Sequence, residues 1–226
     1  MTTATTLMEM YQAMRERFGP QGWWPGNGPL EICVGAILTQ NTNWSNVEKA
    51  IANLRSAGVM TVDALAGIEQ DQLAELIRPA GYYKLKSRRL GNFIAAVAAF
   101  EDFSDKGQGK IHAFLDRSVN TLREELVAIN GIGLETADSI ILYAACKATF
   151  VIDTYTCRIA SRHGLICPED GYEAVKELFE SSLEQDIDLY NDFHAQLVAV
   201  GKNFCRPKPR CAGWPLEKFP HDLDQW

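Results

Sequence analysis

Leu122-Arg-Glu-Glu-Leu-Val-Ala-Ile-Asn-Gly131-Ile-Gly133-Leu-Glu-Thr-Ala-Asp-Ser-Ile-Ile-Leu142 reads as two apolar-periodic helices with almost nothing between them. The first is expected to end at Asn130, Gly131 and Gly133 permit a tight turn, and the second helix begins at once. Such a turn leaves the first N–H groups of the second helix without helical partners, a seat for a phosphate oxygen that reads no bases. An ordinary helix-turn-helix corner has the same pattern, and the residues alone leave both readings open.

Asp153 stands eighteen residues beyond Glu135, in Val151-Ile-Asp153-Thr-Tyr-Thr-Cys-Arg158-Ile-Ala-Ser-Arg162. It follows an apolar pair and opens a short helix, so it is placed as an N-cap. It either only caps or, favoured as an anion by the helix N-terminus, also faces a developing cation. Arg158 and Arg162 lie one turn apart as a small basic stripe.

Working outward, helical periodicity dominates: Leu30 to Leu38, Asn46 to Ala57, Asp71 to Ile77 and Ser87 to Phe100 all follow it. Thr121-Leu-Arg-Glu124 and Asp170-Gly-Tyr-Glu173 resemble capping boxes and place helix starts near 121 and 170. Gly58, Gly164 and Gly201 suit helix C-termini. Thr149 to Ile152 is too short and isolated a β-branched run to promise a sheet. Glu101 to Lys110 reads as a polar surface connection, and Arg206 to Trp226, with four prolines, as an irregular wrap. The chain is expected to be all-α, in two helical lobes: 28–146 carrying the hairpin, and 1–27 with 147–226.

The 226 residues are 46% hydrophobic and 23% charged, which excludes a disordered chain. No apolar run is long enough to span a membrane, and the start lacks a secretory pattern, so a cytoplasmic protein is expected. A net charge of −7 argues mildly against nucleic acid, although a local basic patch is compatible with it. Six cysteines are too sparse for a disulfide scaffold.

Together, the hairpin Ile129-Asn-Gly-Ile-Gly and the Val-Ile-Asp-Thr block resemble the helix-hairpin-helix (HhH-GPD) DNA glycosylases of the endonuclease III superfamily. Leu38-Thr-Gln40-Asn-Thr looks like that family's strand-invading glutamine segment, and Gly81-Tyr-Tyr-Lys-Leu-Lys-Ser-Arg-Arg like its wedge loop. The match runs from about residue 30 to 211. It is nearest the 3-methyladenine DNA glycosylase III branch, through Trp23-Trp24-Pro25, Leu38 to Thr42, Arg78-Pro-Ala-Gly-Tyr-Tyr83 and Gly131 to Asp138. The resemblance implies a monomeric enzyme that flips a damaged base from double-stranded DNA and cuts its glycosidic bond, in a groove between the lobes. The base is expected to be an alkylated purine; a deaminated, oxidised or mismatched base, or a non-catalytic DNA-binding relative, is the alternative.

Residue by residue, the resemblance implies Asp153 as the catalytic carboxylate. Gln40 would fill the gap left by the flipped nucleotide, Tyr82 would wedge the other strand, and Gly131 and Gly133 would hold the backbone. Trp24 and Trp44 would sandwich a cationic base, against a general preference of tryptophan for the core. Lys84, Lys86, Arg88 and Arg89, with Arg158, would supply positive field, or merely a solvated helix face. Tyr82 is equally well a packed loop residue; Tyr155 and Asp138 are weaker candidates, read as structural.

Two departures stand out. Bifunctional members carry a lysine where this chain has Glu135, and a carboxylate forms no Schiff base, so the lysine-dependent lyase route is closed. Glu135 is a chemical group or simply a favourable first-turn acid. Many members end in four cysteines around an iron–sulfur cluster, whereas this chain offers Cys205 and Cys211 and then Trp214. Two thiolates fall short of four ligands, so no cofactor and no metal are expected. The basic residues of that remnant, with Lys202, either touch a phosphate or decorate the surface.

Overall fold

The computed structural model describes residues 2–100 and 109–226, and every regular element in them is helical. In chain order these are α1 (Thr3–Phe18), α2 (Pro29–Leu38), α3 (Trp44–Ser56), α4 (Val62–Gly67), α5 (Gln70–Leu76), α6 (Tyr83–Ala99), α7 (Gly109–Leu115), α8 (Val119–Ala128), α9 (Leu134–Ser139), α10 (Thr154–Arg162), α11 (Tyr172–Ser182) and α12 (Ile187–Asn203). A 3-10 turn, Arg78–Ala80, precedes α6, and a π-helical turn, Ile140–Ala144, continues α9. Of the connection expected at Glu101 to Lys110, residues 101–108 lie outside the described residues.

Two compact units result: Trp24–Lys147, and Met1–Trp23 with Ala148–Trp226. The breaks fall at 23/24 and 147/148 rather than at 27/28 and 146/147. Trp24 therefore belongs with the hairpin, because its ring packs on Trp44 and Tyr143 of that unit.

The Trp24–Lys147 unit is built around α2, whose sequence is apolar nearly all round, as suits a helix covered on every side. Cys33, Val34, Ile37 and Leu38 are fully buried, with α3, α6, α7, α9 and the π-helical turn packed about them. Each Ile or Leu buried there stabilises the unit by roughly 1.5–3 kcal/mol. The helix's one acid, Glu31, lies in the first turn, where the dipole favours it. It accepts from Arg55 Nε at 2.7 Å and from the Asn27 N–H at 3.1 Å, fixing the loop behind Trp24.

In the other unit α1 packs on α11 and α12, and α10 lies along α12. Phe150, Phe179, Tyr190 and Phe193 form its aromatic core, with the Phe150 and Phe179 rings stacked at 4.4 Å. Thr149 to Ile152 is buried and belongs to no helix or strand. Its amides are met by side chains instead: the Phe150 N–H donates to Glu180 Oε1 at 2.7 Å, and the Ile152 N–H to the Tyr172 hydroxyl at 3.4 Å. This anchored segment delivers Asp153 to the head of α10.

Three helix signals shift. Helix α8 begins at Val119 because Ser118 is the cap, its Oγ accepting from the Thr121 N–H at 3.3 Å. Helix α11 begins at Tyr172 under Gly171, and Asp170 instead accepts from the Cys167 N–H at 2.8 Å. Gly201 lies inside α12 rather than at its end: a Cβ there would fall 2.2 Å from Tyr155 Cδ1, so glycine is needed for α10 and α12 to approach.

Candidate active site and nucleic-acid interface

The hairpin closes sooner than its sequence suggests, since α8 ends at Ala128 and the Ile132 N–H turns back to the Ile129 carbonyl at 3.0 Å. Gly131 has φ 101°, open to glycine alone, and a Cβ there would meet Arg89 Cγ at 2.3 Å. Gly133 is ordinary extended backbone, φ −91°, and its N-cap position carries no side-chain acceptor. The turn is braced from behind. Asp138, fully buried, takes Arg123 Nε at 2.8 Å and a second guanidinium nitrogen at 3.2 Å, and Asn92 Nδ2 donates to the Asn130 carbonyl at 2.9 Å. Glu135 is exposed in the first turn of α9.

Gln40 is not a free plug. Its Nε2 donates to the Gly131 carbonyl at 3.1 Å and to Thr136 Oγ1 at 3.0 Å, and its Oε1 accepts from Arg89. The glutamine assigned to the DNA gap is thus a brace between α2 and the hairpin. Its neighbour Asn41 is the exposed tip, held at φ 52°. Tyr82 makes a second tip, 71% exposed at φ 46°, at the head of α6. A left-handed non-glycine residue costs about 1 kcal/mol or more, most for a bulky side chain, so both tips are held by their surroundings.

The basic run divides by burial. Lys84 and Arg88 are exposed, and Arg89 is spent on Gln40. Lys86, expected to meet DNA, is only 1% exposed, and its Nζ donates to the carbonyls of Leu38 at 2.9 Å and Ala80 at 2.8 Å. Burial and the nearby Arg89 charge push its ammonium down to about 8.

Trp24 and Trp44 come together but do not sandwich anything. Their rings cross at 86° with centroids 5.4 Å apart, and Tyr143 lies 5.0 Å from Trp24. Gly35 makes room for this cluster: a Cβ there would sit 3.2 Å from Trp24 Nε1 and 3.5 Å from Trp44 Cη2. Both indoles are half-buried, so they offer an aromatic corner rather than parallel walls.

In the other unit Asp153 is the N-cap of α10. Its Oδ1 accepts from the Thr156 N–H at 2.7 Å and the Thr156 hydroxyl at 2.9 Å, and its Oδ2 lies 3.8 Å from His194 Nε2. Burial by itself would raise this carboxyl; His194 and the two Thr156 donors outweigh it and hold the group below the ordinary carboxylate value. The buried His194 ring meets Trp23 edge-on at 6.0 Å, and Lys202 Nζ stands 5.7 Å from the centre of that indole. Sequence reasoning missed His194 because an isolated histidine on an apolar helix face carries no local signal. Asn41, beside the glutamine on which the resemblance fixed, was not singled out in the sequence.

Arg158 and Arg162 are no surface stripe. Arg158 is buried and donates through Nε to the Cys205 carbonyl at 2.7 Å. Arg162 donates to Cys205 Sγ at 3.2 Å, the Arg206 carbonyl at 2.8 Å and the Pro207 carbonyl at 3.2 Å. Trp214 is buried against His163 and His221. The donor set does not fit a four-thiolate cluster: Cys205 and Cys211 are the loop's only thiols, and Cys205 is already engaged by a guanidinium. Among the described residues no three His, Cys, Asp or Glu side chains gather to hold a metal ion.

The model of the HhH-GPD superfamily of base excision DNA repair proteins matches residues 34–185 of this chain. A Methanocaldococcus jannaschii protein that bears the name of a DNA repair glycosylase is 41% identical over 213 residues, 94% of each chain. Endonuclease III of Thermotoga maritima is 27% identical over 187 residues, 81% of this chain and 78% of its own. Among solved structures, the 3-methyladenine DNA glycosylase of H. pylori, bound to 1,N6-ethenoadenine, has a TM-score of 0.74 at 28% identity, covering 89% of this chain and 98% of that one. A non-covalent endonuclease III–DNA complex gives 0.78 over 99% and 98% of the two chains at 19% identity, a likeness of fold.

Proposed function

The chain belongs to the HhH-GPD superfamily of base excision DNA repair proteins, and on that premise we propose that it hydrolyses the N-glycosidic bond of an alkylated purine in double-stranded DNA, as a glycosylase without lysine-dependent lyase activity. The observation that carries this reading is Asp153, a carboxylate held ionised at a helix head with one oxygen spent on the cap and the other not. As the bond from the sugar to the base lengthens, positive charge grows on the sugar, and Asp153 Oδ2 stabilises it and orients a water. The C1′–N bond breaks, the water oxygen bonds C1′, and the proton of that water passes through the carboxylate to solvent. A purine alkylated at N3 is already cationic and departs neutral, so no general acid is required.

Support for the alkylated class is the aromatic corner of Trp24, Trp44 and Tyr143, since an indole face attracts a cationic base. The likeness to the H. pylori enzyme points the same way. Asn41 takes over the role of plug from Gln40, and Tyr82 serves as wedge; extrusion costs a few kcal/mol, least for damaged bases, and both tips offset it. Glu135 lacks the amine that a Schiff base needs. The chain works without an iron–sulfur cluster, as a monomer, where the chromosome lies. No helix of the described residues is long and apolar enough to cross a membrane.

The deciding experiment is base release from duplexes carrying 3-methyladenine, a deaminated base or an oxidised base. Preferential release of 3-methyladenine, lost in Asp153→Asn by a factor of roughly 10²–10³ while binding persists, is the expected result. Preferential release of a neutral lesion overturns the substrate class, and wild-type turnover in Asp153→Asn overturns the mechanism. Purified protein is expected to be colourless, with iron far below one atom per chain; stoichiometric iron and sulfide would contradict the absence of a cluster.

A further inference from the structure

Lys86 is a buried lysine whose ammonium, among the described residues, meets two main-chain carbonyls and no carboxylate. Buried lysines are rare without a charged partner, and a well-packed apolar side chain of the same length would serve stability at least as well. What sets Lys86 apart is the location of its acceptors. Leu38 is the last residue of α2, three before the Asn41 tip, and its carbonyl belongs to the set a helix C-terminus leaves without partners. Ala80 ends the 3-10 turn, two residues before the Tyr82 tip. The Lys86 N–H also bonds the Tyr82 carbonyl itself, at 2.9 Å. One residue therefore grips the loop of each left-handed exposed tip, and the negative end of α2 suits the cation.

We propose that Lys86 is a positioning residue that joins the Asn41 and Tyr82 tips into a single part, so that plug and wedge enter the duplex together. The proposal rests on the assignment of those tips made above. Two carbonyls use two of the three ammonium hydrogens, and a neutral amine keeps two, so the tie holds across the pH range of a DNA assay.

The test compares wild type with Lys86→Met, which keeps the stem and removes the donors, on two duplexes carrying the same lesion. In one the lesion faces its normal partner; in the other it faces an abasic gap, where extrusion is already easy. Unstacking is read by the fluorescence of a 2-aminopurine placed beside the lesion, which needs no chemistry, and excision is read in parallel under single-turnover conditions. Lys86→Met is expected to lower the unstacked population and the excision rate about tenfold on the paired duplex, and less than twofold opposite the gap. The effects of Asn41→Ala and Tyr82→Ala, coupled in wild type, are expected to become independent in the Lys86→Met background. An equal loss on both duplexes, or an unchanged ratio, overturns the proposal. If Lys86→Met does not fold, Lys86→Gln, with donors enough for one loop, carries the same comparison. A wild type that unstacks the base without cleaving it would sink the proposed chemistry and leave the tie standing.

Discussion

Asp153 has one oxygen committed to the head of α10 and one facing His194, so its charge is set by two elements at once. A carboxyl held below its ordinary value keeps its function above the folded pKa and loses it as pH falls through that value. The acid limb of excision attributable to Asp153 is therefore expected below the usual carboxylate range. His194→Asn removes the imidazole and leaves only the two Thr156 donors to oppose burial, which moves that limb up; a pH–rate profile under single turnover reads the shift. At the aromatic corner, Trp24→Leu or Trp44→Leu is expected to reduce release of a cationic base more than release of a neutral one, by about tenfold in the ratio. A uniform drop for every lesion, with a lower Tm, would return the indoles to a packing role. The N-cap position of Asp153 was legible in the sequence because an acid after an apolar pair at a helix start is a local pattern. The fates of Gln40, Lys86 and Arg158 were not, because each is decided by an acceptor far along the chain: Gly131, Leu38 and Cys205.

At the scale of elements, the segment after α12 shows how an irregular stretch is held without regular hydrogen bonding. Two arginines of α10 reach its carbonyls, and His163 donates through Nδ1 to the Pro220 carbonyl at 2.9 Å beside Trp214. Burial pushes His163 down to about 4, so the folded chain keeps this ring neutral where the unfolded chain, at about 6.5, would protonate it. Between those values the unfolded state binds more protons, and stability falls as pH drops from 6.5 toward 4. For a chain of this size each 1 kcal/mol lost lowers Tm by roughly 2–4 °C. Melting curves across that window are expected to show the decline, and His163→Phe, which cannot protonate, to flatten it. Helix positions were mostly readable because apolar periodicity is a property of the segment itself. Caps were readable only to within a turn, since Ser118 and Thr121 can each serve and the preceding backbone decides.

On the scale of the whole molecule, an acidic chain that binds DNA must do so through a few well-placed cations. The net charge is −7, and burial removes Lys86, Arg158 and Arg162 from the account, leaving exposed groups such as Lys84 and Arg88 near the Tyr82 tip. Binding is expected to weaken linearly in log salt. Lys84→Ala and Arg88→Ala should each lower that slope by about 0.9 if the residue neutralises a phosphate. Lys86→Met should leave it unchanged, which separates a gripping charge from a structural one. The two-unit division also allots the parts: aromatic corner, tips and hairpin belong to Trp24–Lys147, and the carboxylate to the unit containing both chain ends.

The contact at Gly201 bears on how such an enzyme can vary over time. His194 and Gly201 lie two turns apart on α12, and Tyr155, two residues after Asp153, rests where any side chain at 201 would have to go. The spacing that gives the carboxylate its imidazole neighbour is thus gauged by the absence of a single methyl group. Drift at this position cannot be gradual, because the smallest available step, to alanine, already drives α10 away from α12. Under the proposed function this gauge is a fixed point: lesion preference can diversify at the aromatic corner and the tips, while Asp153 stays where one glycine keeps it.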